Sequence, residues 1–234
     1  MGTKVLLVLS GLLPLLGLFS RPADPMPLIY TVFVVACLLR RRLEALVDRL
    51  PGSAACHLVV AFVLAGSLTE TLAWLNSYLK AAPQPALLHP QLIPDLMVGI
   101  GFYGGWAVAW LITFRWFRFT LVEVFLVTGV LGIAFEQLGA VFLLMLRTVM
   151  GNPLQSLLIG VYILVVYGSA AGLALVPLLS RFDAPQRSRS WLRFPVVIAL
   201  MIALAVGGCV LVNLGALALG GLPPKRSIVE HPFW

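Results

Sequence analysis

Residues Phe119–Leu146 read FTLVEVFLVTGVLGIAFEQLGAVFLLML. This apolar run is long enough to cross the hydrocarbon core of a bilayer, which takes about 20 residues in a helix. It also carries Glu136 and Gln137 near its middle. An ionisable side chain at membrane depth is costly, so it marks a functional site by default. The run therefore predicts both a membrane fold and a polar site inside it.

The composition of the whole chain is that of a membrane protein. Of the 234 residues, 61% are hydrophobic and 11% are charged, whereas soluble domains carry about 25% charged residues. The net charge of +7 comes from basic residues in short loops between apolar runs. That placement is a topology signal and indicates contact with anionic lipid headgroups. No basic face interleaved with exposed aromatic residues indicates binding to nucleic acid.

Seven apolar runs predict an all-α, polytopic bundle of about seven transmembrane helices within residues 1–221. The predicted spans lie at about 4–20, 23–39, 56–79, 95–114, 119–146, 154–180 and 195–220. Residues 222–234 form a tail that is too polar to span. The first span has the lone charge and the apolar length of a signal peptide, but no small-x-small cleavage site follows it, which favours a retained helix. Residues 40–50 have apolar side chains at helical spacing opposite charged ones, which predicts a short interfacial amphipathic helix.

The distribution of basic residues predicts the orientation of the chain. If the loop after the second span is cytoplasmic, the inner segments hold 11 Lys and Arg residues and the outer segments hold 5. The inner ones are Lys4, Arg40, Arg41, Arg42, Arg49, Arg115, Arg118, Arg181, Arg187, Arg189 and Arg193, and the outer ones are Arg21, Lys80, Arg147, Lys225 and Arg226. Because basic residues accumulate on the cytoplasmic side, the N-terminus is predicted inside and the C-terminus outside. The expected location is the cytoplasmic membrane of a bacterium or archaeon.

Glu70 and Glu136 are the two candidate site residues at membrane depth. Lys80 and Arg147 follow them by 10 and 11 residues at the predicted outer boundary, so both carboxyls lie roughly 15 Å below it at about 1.5 Å per residue. Each glutamate follows a glycine by four positions, and small residues on that face let helices approach closely. With no basic residue at that depth, at least one carboxyl is predicted to be protonated at neutral pH. The structural alternative is a hydrogen bond from a neutral glutamate to Gln137, Asn213 or Tyr162.

Eight polar side chains are predicted to line a pocket that opens outward, with the two glutamates at its floor. They are Glu70, Glu136, Gln137, Asn76, Asp95, Tyr103, Tyr162 and Asn213. Asp95 also has a structural interpretation, because a carboxylate at a helix start satisfies free N–H groups. The aromatic stripe that contains Tyr103 and Trp106 is interpreted as helix packing and interfacial anchoring.

Two short patterns concern helix ends. Thr120-Leu-Val-Glu123 matches a capping box at the start of the fifth span, which gives Glu123 a structural role. Ser67-Leu-Thr-Glu70 also fits that pattern and follows Gly66. It raises the alternative that the third span breaks at Gly66, as in transporters whose half-helices meet at a midplane site.

The remaining reactive residue types indicate no metal centre and no cofactor. His57, His89 and His231 lack ligand spacing,. The three cysteines are odd in number and form no CxxC motif, so they are interpreted as small buried hydrophobic residues. Nucleotide-binding loops and hydrolase motifs are also missing from the sequence.

Three functions stay open at the level of the sequence. The first is binding or transport of a small or lipophilic solute, with protonation of Glu70 and Glu136 coupled to it. The second is an intramembrane enzyme in which the same two carboxyls serve as general acid and base on a lipid or isoprenoid. The third is an accessory subunit of a membrane complex, in which the glutamates bond to a partner helix. The expected partners are therefore membrane lipids, a small lipophilic ligand and other membrane subunits.

Overall fold

The computed structural model describes residues 2–83, 85, 87–182, 188 and 190–234. In this part of the chain the secondary structure is helical, with ten α-helices and two 3-10 segments and no strand. The α-helices are α1 Gly2–Leu12, α2 Leu28–Leu38, α3 Arg40–Val47, α4 Ala54–Leu79, α5 Leu92–Trp116, α6 Leu121–Phe135, α7 Ala140–Val149, α8 Pro153–Leu175, α9 Leu179–Phe182 and α10 Arg193–Ala218. The 3-10 segments are Leu13–Phe19 and Glu136–Gly139. The predicted all-α class is confirmed.

Four of the described helices are long and apolar enough to cross a membrane, namely α4, α5, α8 and α10. They correspond to the third, fourth, sixth and seventh predicted spans. The other apolar helices of the described part, α1 with its 3-10 continuation, α2, α6 and α7, are shorter. The membrane character of the chain is thus supported, whereas the count of seven spans and the orientation stay predictions.

Proline positions explain two differences between the predicted and the observed helix ends. The second span was expected from residue 23, but α2 begins at Leu28, directly after Pro27. Three prolines lie between residues 22 and 27, and each lacks the N–H that a helix interior needs. The sixth span was expected to reach residue 180, but α8 ends at Leu175, two residues before Pro177, because a proline has no N–H with which to continue the hydrogen bonds of the helix.

The predicted fifth span is not one continuous helix. α6 ends at Phe135, the 3-10 segment Glu136–Gly139 follows, and α7 begins at Ala140. Two residues of that segment lie in the left-handed region, Gln137 with φ +50° and Gly139 with φ +88°. Glycine adopts this conformation without steric cost, and its position therefore fixes the break. The alternative of a break at Gly66 does not hold, since α4 is helical from Ala54 to Leu79.

The long helices pack as two pairs around α4. α5 pairs with α10, α6 pairs with α8, and α4 contacts both α5 and α8. The α5–α10 contact is close because two glycines meet in it: a Cβ added to Gly208 would lie 2.0 Å from the carbonyl oxygen of Gly101. Small residues of this kind are how helices associate where lipid removes the hydrophobic driving force. The buried core includes Leu58, Phe62, Trp110, Phe114, Leu175 and Met201.

Polar contacts gather at one end of the bundle around Arg193 and Arg181. The capping box at Thr120 and Glu123 is present, which confirms its prediction. The Glu123 carboxylate also accepts a 2.5 Å hydrogen bond from Arg193 Nη2. Arg181 forms an ion pair with Asp48, just after the amphipathic helix α3. Segments that the charge pattern predicts to lie inside therefore contact one another.

The C-terminal tail packs against the opposite end, which the sequence did not predict. The carbonyl oxygens of Pro232 and Phe233 accept hydrogen bonds from the N–H groups of Leu92 and Ile93 at 3.0 and 3.1 Å. They thereby satisfy two of the free donors at the start of α5. The side chain of Gln91 is fully buried and donates to the carbonyls of Arg226 and His231. The tail is thus part of the folded structure.

Candidate functional site

Two interior glutamates each accept a hydrogen bond from a tyrosine on the neighbouring long helix. The Tyr103 hydroxyl of α5 donates to Glu70 Oε1 of α4 at 2.7 Å. The Tyr167 hydroxyl of α8 donates to Glu136 Oε2 at 2.5 Å, where α6 ends. The structure therefore gives Glu136 a partner other than those that the sequence predicts.

Glycines one helical turn before the glutamates make room for the tyrosine rings. A Cβ added to Gly66 would lie 2.1 Å from Tyr103 Cγ, and one added to Gly132 would lie 2.4 Å from Tyr167 Cδ2. Residues four apart lie on the same face of a helix. In both pairs, a Gly-x-x-x-Glu face thus accommodates a tyrosine ring and accepts a hydrogen bond from its hydroxyl. The two helix pairs share this arrangement.

The two glutamates line one cavity of about 600 Å³. It lies between the α5–α10 pair and the α6–α8 pair, and Glu70 enters its wall from α4. Gln137 and Tyr167 are further polar lining residues, and most of the remaining wall is apolar. The α10 wall consists of Met201, Ile202, Ala205 and Val206. The equal membrane depth of the two glutamates stays a prediction.

Trp106 lies in the cavity wall between the two tyrosines. Its ring centroid is 5.6 Å from that of Tyr103, in an edge-to-face arrangement, and 6.0 Å from that of Tyr167. Only 2% of Trp106 is exposed. The indole thus connects the two Glu–Tyr pairs through contacts with both tyrosine rings.

Asp95 lies beside Glu70 but outside the cavity wall. It is fully buried, and its Oδ1 accepts a 2.8 Å hydrogen bond from the N–H of His89. Its carboxyl also interacts with that of Glu70 and, through charge, with Lys225. Asp95 therefore holds the loop before α5 and also places a third carboxyl next to the site.

The other predicted ligand-binding residues separate into two groups. Gln137 lies at the cavity, on the 3-10 segment. Tyr162, Asn76 and Asn213 lie outside its lining. The Tyr162 hydroxyl contacts Asp24 at 3.3 Å, and exposed Asn213 donates to the carbonyl of Cys209. The Asn76 Oδ1 is buried without a partner among the described residues. Of the eight predicted residues, the structure thus brings Glu70, Glu136 and Gln137 together in the cavity wall.

Tyr167 is the site residue that sequence reasoning missed, and a signal for it exists. Tyr103-Gly104 and Tyr167-Gly168 are Tyr-Gly dipeptides. They follow Glu70 and Glu136 by 33 and 31 residues respectively. Together with the two Gly-x-x-x-Glu motifs, these dipeptides give a repeated pattern that assigns one tyrosine to each glutamate.

The chemistry of the site follows from its groups. Carboxyl, phenol, indole and amide groups lie in an otherwise apolar wall, which is the usual composition of a small-molecule cavity. Within the described residues, no group of three or more His, Cys, Asp or Glu side chains could hold a metal ion. The site can therefore bind an apolar solute that carries a positive charge or a hydrogen-bond donor, and it can take up and release protons.

Comparisons with protein-family models, with curated proteins and with solved structures found no match to this chain. The geometry of the cavity and the chemistry of the residues around it are therefore what indicate the function.

Proposed function

We propose that this membrane protein binds a small lipophilic solute in the cavity between its two helix pairs and transports it. Protonation of Glu70 and Glu136 is coupled to occupancy of the cavity. One observation carries the proposal: carboxyls from α4 and from the end of α6 reach the same cavity of about 600 Å³. A volume of this size is within the range of small-molecule sites.

The interrupted helix beside Glu136 supports transport of the solute rather than binding alone. The 3-10 segment Glu136–Gly139 borders the cavity through Glu136 and Gln137. Irregular backbone at membrane depth is tolerated where it lines a cavity, and discontinuous helices frequently form the substrate sites of transporters. A hinge of this kind lets α7 move relative to α6 while the Glu–Tyr pairs stay with the bundle.

The proposed topology has seven crossings, a cytoplasmic N-terminus and an outer C-terminus, in the cytoplasmic membrane of a bacterium or archaeon. Contacts between loops support this alternation. The Arg193–Glu123 and Arg181–Asp48 pairs join segments proposed to lie inside. The pairing of Lys80 with Asp24 at 3.3 Å joins segments proposed to lie outside. Cysteine-accessibility labelling of each loop in intact cells tests the proposed orientation.

Native mass spectrometry of protein extracted in mild detergent tests the binding function. Wild-type protein should retain a small molecule that Glu70→Gln and Glu136→Gln lose. Glu44→Gln is the matched control, because Glu44 lies on α3, where it pairs with Arg40 at 2.9 Å, and should leave the bound molecule in place. A wild-type protein free of ligand, or equal retention in all variants, would contradict the proposal. A co-purifying polypeptide would favour the accessory-subunit alternative.

The 2.5 Å contact between Tyr167 and Glu136 favours a second candidate, an intramembrane enzyme on a lipid or isoprenoid. A glutamate and a phenol in hydrogen-bond contact can relay a proton to or from a reacting carbon skeleton. Incubation of the purified protein with membrane lipid extract distinguishes the two candidates. Product formation that Glu136→Gln abolishes would indicate the enzyme, and solute binding without any product would indicate the transporter.

A further inference from the structure

The cavity wall has negative character without a basic counterpart. Glu70 and Glu136 are its ionisable carboxyls, and its lining contains no Lys, Arg or His side chain among the described residues. Asp95 adds a third, fully buried carboxyl beside Glu70, and it interacts with Glu70 and, through charge, with Lys225. An isolated buried carboxylate is strongly disfavoured unless it is paired or neutralised. The site therefore needs a proton or another positive charge from outside the protein.

Lys225 of the C-terminal tail acts on Asp95, but no basic side chain of the described residues acts on Glu70 or Glu136. Neighbouring helices present Tyr103 and Asp95 from α5, Tyr162 and Tyr167 from α8 and Cys209 from α10. Each of these side chains is neutral or acidic. Any cation that compensates the two glutamates is therefore a proton or a ligand.

The aromatic and apolar walls determine what kind of cation fits. Phe102 and Tyr167 line the cavity and are only partly buried, so they offer aromatic rings, and cations are attracted to the faces of such rings. The α10 wall presents Met201, Ile202, Ala205 and Val206, which can cover an apolar body. A bare metal ion would lack ligands here, since the described residues hold no group of three candidate ligands.

We propose that the solute of this cavity is a lipophilic organic cation, such as a protonated amine or a quaternary onium ion. This inference rests on the proposed binding function and names its substrate class. The positive charge lies at Glu70 and Glu136, and the apolar body lies against α10. A cation and a proton then compete for the same carboxyls, so transport is an exchange of one for the other.

Three probes of similar shape test the charge of the solute. Tetraphenylphosphonium is a cation, tetraphenylborate is an anion, and triphenylphosphine oxide is neutral. Binding of each is measured by calorimetry to the full chain in phosphatidylcholine nanodiscs, with empty nanodiscs subtracted. Tetraphenylphosphonium should bind at least about tenfold more tightly than the other two probes. Its affinity should increase from about pH 5 to about pH 8, and its binding should release protons in weakly buffered medium, because the carboxyls must be ionised to pair with it.

Variants locate the binding at the cavity. Glu70→Gln and Glu136→Gln should each weaken the cation by at least about tenfold and reduce proton release, whereas Glu44→Gln should not. Val206→Trp tests the cavity without touching a carboxyl: Val206 lines the cavity and is 59% exposed, so a larger side chain fits there without unfolding the bundle. It should block the cation, and Leu214→Trp, at another exposed position of α10, should not.

Two results would overturn the cation assignment. One is binding of the neutral or anionic probe as tight as that of the cation, which would leave the binding function itself intact. The other is no binding of any probe to the wild-type protein. In that case native mass spectrometry decides separately whether the cavity holds a solute at all.

Discussion

Tyr167 donates a 2.5 Å hydrogen bond to Glu136 at the point where α6 ends and the 3-10 segment begins. The contact fixes a carboxyl at an irregular stretch of backbone, between a helix pair and a cavity. Its counterpart, Tyr103 with Glu70, has the same geometry on an uninterrupted helix. The two glutamates are thus alike in their hydrogen bonding and different in their backbone, because only Glu136 lies at a break between two helices.

Removal of the hydroxyl from Tyr167 should destabilise the fold. We expect Tyr167→Phe to lower the free energy of unfolding by about 1–3 kcal/mol, the range for a buried group left without its hydrogen bond. The decrease in stability should be about 3 kcal/mol at alkaline pH, because an ionised Glu136 accepts a stronger hydrogen bond from Tyr167 than a neutral one does. Unfolding of the purified protein by SDS in mixed micelles measures it.

The control for that variant is Tyr162→Phe. The Tyr162 hydroxyl contacts Asp24 at 3.3 and 3.4 Å in an exposed position, so its loss should cost less than about 0.5 kcal/mol. Equal losses for the two variants would show that the Tyr167–Glu136 contact has no special stabilising role.

The glycines beneath the tyrosines should tolerate no larger residue. Gly66→Ala and Gly132→Ala place a Cβ 2.1 and 2.4 Å from ring atoms of Tyr103 and Tyr167. Because the rings must then move, each variant should lose about 1–3 kcal/mol of stability through overpacking and should weaken binding to the cavity. The same SDS unfolding assay, combined with ligand binding, measures both effects.

Gly104→Ala is the matched substitution, since Gly104 lies in the middle of α5 and a Cβ there meets no atom within 4 Å. It should be neutral or stabilise the helix by up to about 1 kcal/mol. If Gly104→Ala lowered the stability as much as Gly132→Ala, the effect of Gly132→Ala could not be attributed to its contact with the Tyr167 ring.

The parts of the fold that sequence predicted well depend on composition and short-range pattern. The long helices α4, α5, α8 and α10 follow from uninterrupted apolar runs, and the cap at Thr120 and Glu123 follows from a four-residue motif. The equal depth of Glu70 and Glu136 also comes from counting residues along helices, and it stays a prediction. These predictions need no knowledge of which helices touch.

The missed features depend on contacts between distant segments. The repeated Tyr-Gly dipeptide points to Tyr167, but the contact of Tyr167 with Glu136 follows only from the pairing of α6 with α8. The tail could be placed only once Gln91 was seen to bind the carbonyls of Arg226 and His231. The break at Gly139 was missed for another reason, because a glycine inside an apolar run is equally compatible with close helix packing.

The left-handed conformation of Gly139 gives a test of the break itself. With φ +88°, Gly139→Ala should cost about 1–2 kcal/mol of stability, because a Cβ is disfavoured in that region. If the break is needed for transport, the variant should also slow solute flux in proteoliposomes more than it weakens binding. Gly151→Ala is the control, since a Cβ there meets nothing within 4 Å. Unchanged stability and flux in Gly139→Ala would show that the chain adapts its backbone without consequence.

The packing of the C-terminal tail, residues 222–234, against the start of α5 should depend on pH through His89. Burial lowers the pKa of the His89 imidazole, whose Nδ1 accepts a hydrogen bond from the N–H of Gln91 and whose Nε2 contacts the carbonyl of Pro223. A protonated ring cannot accept at Nδ1, so the docked state favours the neutral form. The pKa of His89 is lower when the tail is packed than when it is detached. The packed tail is therefore fully stable above the ordinary histidine pKa of about 6.5, and it loses stability as the pH falls below that value.

Hydrogen exchange measures this effect at the amides of Leu92 and Ile93, which the tail protects. Their exchange, corrected for the intrinsic pH dependence, should accelerate as the pH falls from about 7 to about 5. His89→Asn keeps an acceptor near Nδ1 and removes the titration, so its protection should stay constant over that range. Protection that falls equally in both proteins would trace the pH response to another group, with Asp95, whose carboxylate accepts from the N–H of His89, as the nearest one.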